Sequence, residues 1–155
     1  MAFNPADIIP YKRSRFQTRL PKGRLYTPSH CWLLEIEPGI WRVGFTRFAT
    51  RMLGEVVESG FEVKVDEAVK VGQSIGWVEG FKAISDVYCV GDGNFVGANP
   101  DISNDPTLID KDPYHKGWLY QFRGTGDPNA APPDGYIQVL DAAIDKMMGS
   151  EGKSE

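Results

Sequence analysis

Apolar positions along the chain come in short runs broken by glycine, proline and small polar clusters. His30-Cys31-Trp32-Leu33-Leu34-Glu35-Ile36 and Ile40-Trp41-Arg42-Val43-Gly44-Phe45 read as two strands joined across Glu37-Pro38-Gly39, and so as a hairpin. Thr46 is placed to cap a short helix through about Met52, with Phe48, Ala49 and Leu53 turned to the core. Gly54 to Ser59 alternates, as does Phe61-Glu62-Val63-Lys64-Val65, which predicts a strand with Phe61, Val63 and Val65 on one face. Two further runs of strand character, Ser74 to Val78 and Ile84 to Val90, flank Gly80-Phe81-Lys82-Ala83, so Lys82 falls where a hairpin should turn. Asp92-Gly93 predicts a tight turn. Residues 104–114 form a proline-punctuated excursion, and Gly117 to Phe122 reads as the last strand.

The ends differ from this middle. Residues 1–24 read as an irregular basic arm and 25–123 as the globular domain. Residues 124–135 form a linker rich in glycine and proline. Residues 136–148 read as a C-terminal helix with Ile137, Leu140, Ile144 and Met147 on one stripe, and 149–155 as a disordered tail. A chain of 155 residues with 17 Gly and 11 Pro, cut into many short strands, is mostly β and too punctuated for a helical bundle.

Charge changes the picture only locally. The net charge of −4 gives no reason to expect a nucleic-acid partner. Residues 1–25 nevertheless hold six basic side chains (Lys12, Arg13, Arg15, Arg19, Lys22, Arg24) against Asp7. Such an arm is either a solvated tail or a docking element for an acidic partner. No stretch is long and apolar enough to span a membrane, and Met1-Ala2-Phe3-Asn4-Pro5 lacks the core of a signal peptide. Two cysteines, Cys31 and Cys89, make no disulfide framework, so a cytoplasmic setting is the expectation.

Tests for self-contained chemistry come up empty. The two histidines, His30 and His115, and the two cysteines have no metal-ligand spacing. There is no phosphate-binding glycine loop and no nucleophile elbow. His30 and Cys31, as neighbours on one strand, point to opposite faces. What remains is a small sheet-rich domain presenting one lysine, which suits a non-enzymatic carrier subunit whose lysine another enzyme acylates. The amine must reach solvent, the turn must be rigid enough to be recognised, and the attached arm then raises the effective concentration of its cargo at each partner site.

From about Leu25 to Phe122 the chain resembles the H protein of the glycine cleavage system. Tyr26-Thr27-Pro28-Ser29-His30 precedes Trp32, and Gly44-Phe45-Thr46 with Ala49 precedes Leu53-Gly54-Glu55-Val56-Val57. Val78-Glu79-Gly80-Phe81-Lys82-Ala83 precedes Ser85-Asp86, and Gly93 precedes Val96 and Asn99. Asn104-Asp105-Pro106 precedes Asp112-Pro113-Tyr114 and Gly117-Trp118-Leu119. The resemblance implies a barrel-sandwich hybrid fold, the lipoyl/biotinyl hammerhead, with lipoic acid attached to Lys82. Phe81 and Ala83 stand where biotin carriers have methionines. Glu79 and Phe81 become candidates for ligase recognition, with Phe81 equally able to cover the hairpin's apolar face. Asp86 and His30 become candidates for the wall that shelters the arm, the plainer readings being a surface aspartate and a hydrogen-bonded structural histidine. The four tryptophans read as core.

The chain also departs from the family pattern. His30-Cys31-Trp32 stands where the family usually has His-Glu-Trp, and Glu79-Gly80-Phe81-Lys82 where it has Glu-Ser-Val-Lys. In the glycine-cleavage members that Glu lies near the docked arm's amine, and a neutral thiol cannot supply its charge. Cys31 is either a thiolate that meets a sulfur cargo or a small buried hydrophobe; Cys89 reads as core. These departures are similar to the H-protein-like lipoate-binding proteins of bacterial sulfur oxidation, which implies a heterodisulfide-reductase-like complex as partner. The alternative is the aminomethyl carrier of glycine cleavage, working with the P, T and L proteins. Either carrier implies a lipoate ligase or lipoyl-assembly enzymes. An alternative of another class is an unlipoylated protein-interaction module that uses the basic arm.

Overall fold

The computed structural model describes residues 4–153. After a one-turn 3-10 helix at Pro5–Asp7, strands β1 (Ile8–Arg13) and β2 (Phe16–Pro21) pair antiparallel as a separate hairpin. A six-stranded sheet runs in the order β3 (Leu25–Tyr26), β4 (Cys31–Glu37), β5 (Ile40–Phe45), β11 (Tyr120–Gly126), β10 (Gly91–Ala98), β7 (Ala68–Val69). A three-stranded sheet has the order β6 (Val56–Phe61), β8 (Ser74–Gly80), β9 (Ile84–Tyr88). Helix α1 (Arg47–Leu53) leads from the larger sheet to the smaller. Helices α2 (Pro100–Asn104) and α3 (Leu108–Lys111) fill the proline-rich excursion, and α4 (Pro133–Lys153) closes the chain.

The two larger sheets face one another over a single core. Leu33, Val43, Phe95 and Phe122 come from one sheet and Val56, Ile75, Val78 and Val87 from the other. This is the mostly β barrel-sandwich architecture that the sequence predicts. A second core lies on the outer side of β4. There Tyr11 and Leu20 of the hairpin, Tyr26, Trp32 and Phe48 pack with Tyr136, Leu140 and Ile144 of α4. Strand β4 is the shared wall: Cys31 and Leu33 enter the first core, and Trp32 enters the second. A strand buried on both faces needs an unbroken apolar run, and Cys31-Trp32-Leu33-Leu34 supplies one.

Several expectations are corrected. Residues 8–21 are not irregular. The less exposed positions Phe16, Thr18 and Leu20 alternate with the exposed Gln17 and Arg19, and Leu20 is fully buried in the core that α4 shares. Of the basic side chains that suggested a solvated arm, Lys12 and Arg19 are on the outward half of that alternation, whereas Arg13 faces α4 and Arg24 is half-buried over Trp32. The hairpin is locked to α4 by a hydrogen bond from the Tyr11 hydroxyl to Asp141 at 2.7 Å and by Arg13, which donates two hydrogen bonds to Asp145. Asp92-Gly93 is not a turn but part of β10, where Gly93 pairs with Gly124 of β11. A Cβ on either glycine would strike the other strand's carbonyl oxygens, so the pair permits a close backbone approach. No strand covers Phe61 to Val65: β6 ends at Phe61, and Val65 is 64% exposed. The Asp66 amide, in a turn with φ +70°, donates to the Phe95 carbonyl.

At the other end, β11 takes in the first residues of the expected linker. Ala131 then exchanges two backbone hydrogen bonds with Tyr26. Helix α4 starts at Pro133 rather than 136, and it continues to Lys153 through most of the expected tail; residues 154 and 155 lie outside the described residues. On its expected stripe Leu140 and Ile144 are buried and Ile137 is half-buried, but Met147 is 40% exposed. No helix among the described residues is long and apolar enough to cross a membrane.

Candidate functional site

Lys82 is the middle residue of the three-residue connection between β8 and β9. Three backbone hydrogen bonds fix that tip. Gly80 donates to the Ala83 carbonyl at 2.9 Å, Phe81 to Glu55 at 3.0 Å and Lys82 to Leu53 at 2.9 Å. Two of them tie the turn to the segment leaving α1, so the tip has a fixed position. Gly80 makes this possible, because a Cβ there would collide with the Leu53 carbonyl. Helix α1 is itself well set: Thr46 caps it as predicted, its hydroxyl accepting from the Ala49 amide, and Phe48 and Leu53 are buried. The Lys82 side chain is exposed. Its ammonium lies 3.5 Å from the Arg51 carbonyl, one of the unsatisfied oxygens in the last turn of α1.

Beside the tip runs a groove of about 380 Å³ between α1, the start of β4 and β9. Ala49 and Met52 form one wall, His30 and Cys31 the second, and Ile84, Asp86 and Tyr88 the third. The third wall follows from strand alternation: Val87 turns to the core, so Asp86 and Tyr88 turn outward. Asp86 is the one carboxylate among the described residues lining the groove, and the Tyr88 hydroxyl lies 3.3 Å from it.

The groove's two unusual residues are uncharged. His30 adopts φ +67°, places its ring 4.6 Å from that of Phe48, and sets Nδ1 2.8 Å from the Tyr136 hydroxyl. Burial lowers its pKa to about 4, so the imidazole is neutral near pH 7. Cys31 is 2% exposed, and burial pushes its thiol up to about 12. The geometry therefore gives a small buried hydrophobe on the groove wall, not a thiolate. Cys89 is likewise buried, its thiol raised by burial and donating to the Gly91 carbonyl at 3.2 Å.

The structure thus brings Asp86, His30 and Cys31 together next to Lys82. Glu79 and Phe81 lie outside the groove. Glu79 is half-buried on β8, and Phe81 is 74% exposed, so it does not cover the hairpin's apolar face. No tryptophan lines the groove. Trp32 donates to the Pro113 carbonyl and Trp41 to that of Gly124, while Trp118 lies under the Arg42 guanidinium. Sequence reasoning missed Met52, Tyr88 and Tyr136. The spacing of Ala49 and Met52 on α1 marks a shared helix face, but nothing local links Tyr136 to His30 across 106 positions.

The chain and its fold have counterparts among known proteins. The family description "Glycine cleavage H-protein" matches residues 24–131. The chain belongs to that family. The Bordetella pertussis glycine cleavage system H protein is 38% identical over 124 residues, covering 80% of this chain and 93% of the relative. That of Mycolicibacterium gilvum is 32% identical over 135 residues, covering 87% and 94%. That of Streptomyces coelicolor is 35% identical over 108 residues, covering 70% and 86%. A crystal structure of the glycine cleavage system H protein from Mycobacterium marinum superimposes with a TM-score of 0.69 at 33% identity, covering 77% of this chain and 97% of that one. The family match leaves out the N-terminal hairpin and all of α4, so much of the second core is built from segments outside it.

Proposed function

We propose that the chain is a carrier whose Lys82 takes a lipoyl group by amide formation, and that it carries an aminomethyl cargo among the enzymes of glycine cleavage. The observation that carries this reading is the exposed amine at the tip of a hairpin strapped in place by three backbone hydrogen bonds. A ligase can reach such an amine and recognise the shape around it. Family membership and the names of the relatives support the lipoyl group and the glycine-cleavage setting. They favour that alternative over the sulfur cargo inferred from the sequence.

The residues present fit the arm. Met52, Ile84 and Tyr88 offer an apolar lining to its hydrocarbon and ring, and Asp86 offers a carboxylate to a cationic cargo. When bound, the lipoyl group supplies a dithiol–disulfide pair able to hold and release cargo. The chain's own part is to hold the tip still, to keep His30 and Cys31 neutral, and to shelter what is attached. We assign the lipoyl attachment to Lys82, the arm-sheltering wall to Asp86, His30 and Cys31, and ligase recognition to Glu79 and Phe81. A lipoate ligase or lipoyl-assembly enzymes, the P, T and L proteins, and a cytoplasmic setting complete the reading.

Intact-mass measurement after incubation with lipoate ligase, lipoate and ATP tests the site. The wild type gains one lipoyl mass and Lys82→Arg gains none; modification that survives the substitution refutes the assignment. One observation keeps a second reading open. Cys31 puts a neutral thiol where the resemblance places a carboxylate in glycine-cleavage members, so it offers no charge to an aminomethyl cargo, and the second reading is a sulfur cargo with a heterodisulfide-reductase-like partner. Glycine–bicarbonate exchange with purified glycine decarboxylase separates the two. The lipoylated protein should support exchange, and failure to do so would favour the sulfur reading.

A further inference from the structure

The hairpin, α1 and α4 line a second groove, part of it from segments outside the residues that the family description matches. It measures about 290 Å³ and is floored by Phe16, Phe48, Met52, Ile144, Met147 and Met148. Arg15 and Arg51 stand at its rim. Phe48 and Met52 also line the groove beside Lys82, so the two hollows share a wall along α1. An adjoining hollow is lined by Arg19, Arg47 and Arg51. Four guanidinium groups from β2, its turn and α1 therefore occupy one face of a chain whose net charge is −4. Arg47 donates to the Asp110 carbonyl, but among the described residues none of the four is ion-paired with a carboxylate. Arg13, by contrast, is paired with both Asp141 and Asp145.

We propose that this basic-rimmed methionine groove is the docking surface for the enzyme that acylates Lys82, and that it receives from that enzyme an acidic segment carrying apolar side chains. Two features identify the occupant. The Lys82 ammonium sits against the Arg51 carbonyl, so an active site that engages the amine comes down over the end of α1, at the rim of the groove. A positive rim over an apolar floor is complementary to carboxylates flanking an apolar anchor, and methionines adapt to the shape presented. The hairpin thus lends its charge to the surface around the lysine while its other face is locked to α4. Acylation itself joins Lys82 Nζ to the carboxyl carbon of lipoyl-adenylate, releasing AMP and a proton. The inference rests on the lipoyl reading of Lys82.

The test uses the full chain, purified lipoate ligase, lipoate and ATP, with initial rates of Lys82 modification read by intact mass across carrier and salt concentration. An Arg15→Glu/Arg51→Glu double variant should raise KM at least about tenfold with kcat little changed, and should lose the wild type's salt dependence. Arg15→Lys/Arg51→Lys should retain most of the wild-type KM. Lys64→Glu/Lys70→Glu, on exposed loops at the far end of β8, should leave KM unchanged. A Met147→Ser/Met148→Ser variant, which keeps every charge, should raise KM several-fold and serves if the glutamate variant does not fold. Equal KM for the wild type and both groove variants, with Lys82 modified in all, overturns the docking surface but leaves the carrier intact. An unmodified wild type overturns the carrier reading and this inference with it. A wild-type dimer in sedimentation that dissociates in the glutamate variant assigns the face to a second copy of the chain instead, and also overturns the inference.

Discussion

At the residue scale, burial keeps the groove beside Lys82 neutral except for Asp86. His30 has a folded pKa of about 4 against an ordinary 6.5, because its ring lies among Phe48, Tyr136 and the sheet. The unfolded chain then binds the proton more readily than the folded one between those two values. Stability is fully present above about pH 6.5 and falls as the pH drops toward 4, by at most about 3 kcal/mol from this group. Urea unfolding near pH 7 and near pH 4.5 should show that loss for the wild type and a smaller one for His30→Gln; equal pH slopes would remove His30 as a cause. The cysteines give a second prediction. With Cys31 held near 12 and Cys89 also raised by burial, neither should react with a disulfide reagent at neutral pH until the chain unfolds. Fast stoichiometric reaction of the native protein at Cys31 would restore it as a candidate thiolate.

At the element scale, two contacts between distant segments set the geometry. The first is the strap from the Lys82 turn to the end of α1. Gly80→Ala places a methyl group against the Leu53 carbonyl and forces the two apart. We expect a loss of about 2 kcal/mol or more and slower modification of Lys82 even where the variant is folded. Normal stability with a normal modification rate would show that the strap does not matter. The second is the lock between the N-terminal hairpin and α4. Arg13 and Asp145 are exposed and screened by solvent, so Arg13→Ala should barely move the midpoint. Tyr11→Ala removes a buried ring and its bond to Asp141, and should cost about 3 kcal/mol or more. Denaturant midpoints decide between them, and the reverse order would mean that the ion pair rather than the ring holds the hairpin. Local signals revealed some of these elements and hid others. Thr46, three residues before Ala49, announced α1, and two strand-like runs around Gly80-Phe81-Lys82-Ala83 announced the turn. Asp92-Gly93 misled, because its glycine answers to Gly124 on a neighbouring strand rather than to a bend in its own.

At the scale of the whole molecule, one strand serves two cores. Cys31 and Leu33 look inward between the sheets, and Trp32 looks outward to Tyr26, Tyr136 and Leu140. Neither core can open without stripping a face of β4. Leu140→Ala, in the outer core, should cost about 2–5 kcal/mol and still unfold in one transition, with tryptophan fluorescence and far-ultraviolet circular dichroism coinciding. Two separate transitions would show that the hairpin and α4 form an independent unit. The outer core also supplies Tyr136 to His30, Phe48 to both grooves, and the hairpin's arginines to the face beside α1. By itself the sequence determined what is encoded within a few residues: the strands flanking Lys82, the exposed turn between them, the cap on α1 and the family pattern from Tyr26 to Leu119. Only the tertiary structure decided that residues 8–21 are ordered, that α4 extends to Lys153, and that His30, Cys31, Met52 and Asp86 share a groove. Those outcomes depend on contacts between segments 130 positions or more apart, where side chains that look solvated along the chain find their partners only once it has folded.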